Sequence, residues 1–142
     1  MTDTVPARRL TFDGAQKIIR AATAKATSMG RPQCISVVDA GGQLIAFARM
    51  EGAYAQAFDT SLRKAQTAAA YGKETGGIAE GLDLRLAIAT EGKRVNLLGG
   101  VPVIVDGLVA GAVGVGSGTG EQDREVARAG VAAIEGAQRF GA

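Results

Sequence analysis

Lys64 lies in an alanine-rich stretch, QAFDTSLRKAQTAAAYG, whose apolar residues recur at helical spacing. An amine among apolar neighbours serves as a base, a Schiff-base amine or a carboxylate anchor; equally, a lysine snorkels from a helix and pairs with an acid. Thr60 and Thr67 fall on the face of Lys64 and offer hydroxyls to a polar ligand. Arg49 closes a strand-like run, where it either clamps a carboxylate with its forked guanidinium or pins the loop over 50–52. Asp123 stands at the start of the last helical stretch, as a general acid or base or as a stabiliser of the helix start. Lys64, Asp123 and Arg49 are therefore the candidate catalytic residues.

The chain contains no histidine. That excludes Ser–His–Asp and Cys–His nucleophile systems and every histidine-containing zinc site. The single cysteine, Cys34, forms no intrachain disulfide and is too few for an all-cysteine site, so no metal centre is expected. The glycine-rich stretch GAVGVGSGTGEQD, residues 111–123, resembles a phosphate cradle but matches neither G-x-G-x-x-G nor G-x-x-x-x-G-K-[ST]. Thr119 and Gln122 fit a capping box, and Glu121 and Asp123 put negative charge where a phosphate would have to sit. No nucleotide cofactor is expected.

These residues need elements to hold them. Thr11 caps a helix that runs to about Met29, with Gly30 following it and Pro32 preventing its return. Strands over 34–39 and 43–49 flank Gly41 and Gly42 as a hairpin. A helix over 58–71 carries Lys64, and a short one over 83–90 follows a glycine-interrupted segment. VPVIVDGLVAGAVGV is a second hairpin turning at Asp106 and Gly107, and a last helix is expected over 120–138. This order predicts an α+β fold, an antiparallel sheet of about five strands flanked by helices, in a single domain over 1–142.

Apolar residues make up 46% of the 142 residues, enough for a core, while Lys and Arg are dispersed and form no basic run. Nucleic acid is not an expected partner. Neither a leader-like apolar segment nor a membrane-length one is present in the sequence, so a cytoplasmic protein is expected.

Two motifs add a resemblance. FARMEGAYAQAFDTSLRKAQTAAAYG is similar to the R-M-D-G-A and S-x-D-I-A-x-x-K-A-x-T-A pattern of the GlcG/HbpS-like domain family, which includes the C-terminal domain of PduO-type adenosyltransferases. LLGGVPVIVDGLVAGAVGVGSGTGEQDREVARAG resembles that family's second motif. Glu51 replaces the usual Asp, Ala57 the usual Ser, and the glycine run is shortened to Gly99-Gly100. The resemblance implies a profilin-like layer, homo-oligomers and a small-molecule ligand, with Glu51, Gly99 and Gly100 joining Thr60 and Thr67 as ligand-binding positions. It also implies either a catabolic enzyme acting on a small organic acid or carbonyl compound, or a haem-binding protein; the abundance of glycine and alanine fits a further reading, a structural oligomerisation module. Haem iron would have to be ligated by Cys34, Met29, Met50, Tyr54 or Tyr71.

Overall fold

Thr11 opens the first helix, α1 (Phe12–Ser28), by accepting the Gly14 amide on its hydroxyl at 2.9 Å. The computed structural model to which this helix belongs describes residues 2–141. Strands β1 (Cys34–Asp39) and β2 (Leu44–Arg49) form the first hairpin. Asp39 fixes its turn by accepting the amides of Gly41 at 2.9 Å and Gln43 at 3.0 Å. Helix α2 (Ala57–Tyr71) stops at Gly72 in the left-handed conformation, and α3 (Leu82–Ala89) follows. The second hairpin joins β3 (Gly100–Val105) to β4 (Leu108–Gly116) through Asp106 and Gly107, both at positive φ as a tight primed turn requires. Helix α4 (Gly120–Val131) begins with the expected Thr119–Gln122 capping box.

The fold is α+β, and its antiparallel sheet has four strands among the described residues, in the order β2-β1-β4-β3, rather than about five. After α4 the chain does return to the outer edge of β3. Only Ala137 bridges there, opposite Val105, and one bridge does not make a strand. The same return shortens the last helix, which ends at Val131 instead of Gln138. The Ala133 and Ile134 amides bond three residues back rather than four, and Gly136 at φ +79° swings Ala137 onto β3. Ile134 and Ala137 still pack on the core, so the apolar period was real but outlived the helix.

The two faces of the sheet bury different chemistry because side chains alternate along each strand. Ile35, Val37, Val101, Val103, Val113 and Val115 pack with α1 and α4 residues in the larger apolar cluster. Each such side chain contributes about 1.5–3 kcal/mol on burial. On the other face the aligned positions Gly100, Gly114 and Ser36 are small, and α2 lies directly on them. A Cβ on Gly114 would collide with the Ser61 carbonyl and the Ala65 amide. Ala65, Ala68, Ala69, Val38 and Ala112 complete this thinner layer, and the Ser36 and Ser61 hydroxyls bond across it at 2.8 Å. Among the described residues no helix is long and apolar enough to cross a membrane.

Candidate functional site

The close seating of α2 carries Lys64 into the interior, where its ammonium meets Asp123 at the start of α4. Lys64 Nζ donates to Asp123 Oδ2 at 2.9 Å and to the Val115 carbonyl at 2.8 Å. Their side chains are only 6% and 3% exposed, so each ion depends on the other for compensation. Asp123 Oδ1 accepts the Gly118 amide at 2.9 Å. Gln33, fully buried, turns its side-chain amide nitrogen to Asp123 Oδ1 and to the Gly116 carbonyl, both at 2.9 Å. Gly99 closes the top: a Cβ there would lie 2.8 Å from the Asp123 Cβ and 3.0 Å from Lys64 Nζ.

The glycine-rich turn uses its own amides. Gly118 donates to Asp123, Thr119 donates to Gln122 Oε1, and Gln122 returns a bond to the Thr119 hydroxyl. Ser117 in the same turn holds φ +94°, a costly conformation for a residue with a side chain. Its hydroxyl accepts the Tyr54 amide at 2.9 Å and its carbonyl accepts Arg31 Nε at 3.2 Å. The turn thereby anchors both the loop after β2 and the loop after α1.

The other candidate residues scatter around this network. Arg49 is exposed at the end of β2, paired in register with Cys34. Burial pushes the Cys34 thiol up, and the Arg49 charge opposes the shift in part. Glu51 is exposed on the following loop, away from Lys64. Thr60 packs toward Gly116, where an added Cβ would sit 3.0 Å from its hydroxyl oxygen. Gly100 lies under α2, and its amide donates to the Thr75 hydroxyl at 2.8 Å. Lys64 and Asp123 are brought together; Arg49 and Glu51 are not brought to them. Gln33 and Ser117 escaped the sequence reading, since a glutamine before a strand and a serine between glycines carry no distinctive spacing.

Thr67 belongs to a different feature. Its hydroxyl accepts the Val95 amide at 3.0 Å and donates to the Arg63 carbonyl at 2.7 Å. It also lines a cleft of about 280 Å³ between the end of α2 and the segment leading into α3, with Tyr71, Lys73, Ile78 and Leu82. The far wall is clamped, because Asn96 Oδ1 accepts the Ile78 amide and Asn96 Nδ2 donates to the Ile78 carbonyl, each at 2.9 Å. Asn96 Nδ2 also bonds Asp83 at 3.3 Å. That bond, with the amides of Leu84 and Gly81, lowers the Asp83 carboxyl below its ordinary value. Glu74 forms a two-pronged pair with Arg128 at 2.6 and 2.8 Å, tying the cleft floor to α4. Tyr71 lines the cleft and is 48% exposed.

Residues 10–132 match the model of the family described as haem degrading protein HbpS-like. A 15.0 kDa protein from the dhaT–dhaS intergenic region of Citrobacter freundii is 38% identical over 123 residues, covering 83% of this chain and 87% of that one. The Klebsiella pneumoniae protein ORFY has the same fold, with a TM-score of 0.88 at 31% identity over 94% of this chain and 95% of that one. The PduOC–haem complex superimposes with a TM-score of 0.84 at 28% identity, covering 94% of this chain and 99% of that one.

Proposed function

The chain belongs to the HbpS-like family, and from that premise we propose that it is a small-ligand-binding protein whose ligand is a haem-type tetrapyrrole. The observation that carries this reading is the clamped cleft beside α2, walled by Ile78, Ala79 and Leu82 with Tyr71 and Lys73 at its lining. The haem complex of PduOC, a relative of the same fold, supports the choice of ligand class.

Of the side chains able to ligate iron, only the two phenols are accessible to such a group. Cys34 is fully buried within the sheet, and Met29 and Met50 pack against the core. The phenols of Tyr54 and Tyr71 are exposed, and tyrosine is an established ligand of haem iron. Lys73 at the cleft forms no ion pair among the described residues and suits a propionate. A bound haem supplies iron-centred redox chemistry; the chain's own part is to hold the group and order the walls around it. Lys64 and Asp123 act here as positioning residues that lock α2 to β4 and α4, since an amine 5% exposed is shut off from a ligand.

The reading includes a single domain over 1–142 that assembles as a homo-oligomer in the cytoplasm. Ligand sites usually enclose about 300–1,000 Å³; the cleft's 280 Å³ lies below that range and would receive only an edge of a tetrapyrrole. The reading places a second copy over the exposed Leu82, Leu84 and Ile88 of α3. The test is titration of the purified protein with ferric haem. A saturable Soret band is expected, and its absence overturns the proposal.

A second reading rests on Arg49, which is exposed and unpaired among the described residues at the sheet end where both motifs converge. Its guanidinium suits a small organic acid as ligand or substrate. Thermal stabilisation by short carboxylates, lost in Arg49→Ala, favours this reading; no response in either protein removes it.

A further inference from the structure

We infer that a pocket between the first hairpin turn and the segment after α3 binds the phosphate group of a small molecule, at a site separate from the cleft beside Tyr71. The pocket encloses about 440 Å³, a volume ordinary for small-ligand sites. Three parts of the chain form it: the turn at Gly41 and Gly42, Gln66 and Ala70 one turn apart on α2, and Lys93 with Arg94.

Its charge sets it apart. Four other surface clefts each place a carboxylate beside their basic side chains, from Asp13, Glu121, Glu74 or Asp39. This pocket is lined by Lys93 and Arg94 and by no carboxylate. Neither cation forms an ion pair among the described residues, and nor does Arg63, which precedes Gln66 by one turn of α2. Arg94 Nη1 donates to the Lys93 carbonyl at 3.1 Å, which draws the half-buried guanidinium back along its own chain toward Lys93. Neighbouring like charges repel, and an anion bound between them relieves that cost.

The walls are set before a ligand arrives. The Lys93 amide donates to the Thr90 carbonyl at 3.1 Å, the Arg94 amide to the Thr90 hydroxyl at 3.1 Å and the Val95 amide to the Thr67 hydroxyl at 3.0 Å. Thr67 is buried on α2, so the backbone at Arg94 is held to the helix that rests on the sheet. On the opposite wall, Gln66 Nε2 donates to the Gly42 carbonyl at 3.1 Å while Gln66 Oε1 accepts Arg63 Nη1 at 2.9 Å. The turn's own carboxylate is engaged, because Asp39 Oδ1 accepts the Gly41 and Gln43 amides. Walls ordered in advance spare a ligand the cost of arranging them.

A phosphate monoester suits this arrangement better than a carboxylate. It carries about −1.5 to −2 charge and three strong acceptor oxygens near neutral pH. Two cations match that charge, Arg94 as a planar fork and Lys93 as a point charge.

The experiment titrates inorganic phosphate into the whole chain at constant ionic strength, with chloride as the balancing anion and malonate as the carboxylate comparison, followed by amide NMR shifts. Saturable shifts are expected at residues 41–43 and 93–95. Hydrogen bonds to charged groups are among the strongest a protein makes, so Lys93→Gln and Arg94→Gln are each expected to bind phosphate about tenfold more weakly. Arg94→Lys is expected to recover part of the loss. Arg20→Gln, which removes an exposed charge from α1, is expected to bind as the wild type does. Unchanged circular dichroism separates ligand loss from misfolding. Phosphate affinity in Arg94→Gln equal to wild type, an equal loss in Arg20→Gln, or no saturable shift overturns the site. Malonate binding as tightly as phosphate overturns the phosphate assignment. The tetrapyrrole reading is tested separately, since neither Lys93 nor Arg94 lines its cleft.

Discussion

Lys64 and Asp123 are separated by 59 positions, and neither residue alone discloses the other. Burying an ion pair brings a liability: removing one partner leaves the other charged, dry and uncompensated. Lys64→Met is accordingly expected to lower stability by about 3–5 kcal/mol. The double variant Lys64→Met/Asp123→Leu is expected to lose less than the two single variants summed, as read from urea unfolding midpoints. Cys34 offers a test of a different kind. Its folded thiol is raised by burial above the ordinary 9.0, so the unfolded chain surrenders the thiol proton first. Stability from this residue is complete below pH 9.0 and declines as pH climbs through the higher folded value. A urea series from neutral pH upward checks it: Cys34→Ala, whatever its baseline, is expected to lack that component of the alkaline decline.

At the scale of elements, the contact between α2 and β4 governs what the site can be. Gly114→Val is expected to cost about 3 kcal/mol or more, because the clash is with backbone on both sides and no rotamer relieves it. Since Lys64 rides on α2, thermal unfolding of that variant should also reveal whether ligand binding survives the shift. Elements whose limits depend on local chemistry were readable from sequence. The Thr11 cap, the Asp106–Gly107 turn and the Thr119–Gln122 box are each written within four residues. The end of α4 was not readable, because it depends on Ala137 finding Val105 across the sheet. The site divides in the same way. A lysine among alanines stood out, whereas the Gln33 amide and the Asn96 clamp take their meaning only from strands and loops folded beside them.

For the whole molecule, what remains uncovered is as informative as the core. Helix α3 buries none of its residues, and Leu84 and Ile88 are 67% and 72% exposed. The outer edge of β2 pairs with no strand among the described residues, whereas that of β3 is partly covered by the returning C-terminal segment. If assembly uses α3, Leu84→Glu with Ile88→Glu is expected to lower the mass seen by light scattering while helix content stays constant. An unchanged mass assigns assembly to another face.

Tyr71 also gives the protein an optical property. The chain has no tryptophan and only two tyrosines, one at the cleft and one on the distant loop after β2. Emission excited in the phenol band, beyond the absorption of the four phenylalanines, therefore comes from two phenols alone. An absorbing ligand in the cleft would quench the nearer emitter more strongly by energy transfer, and Tyr54→Phe leaves a protein whose remaining tyrosine emission is that of the cleft itself.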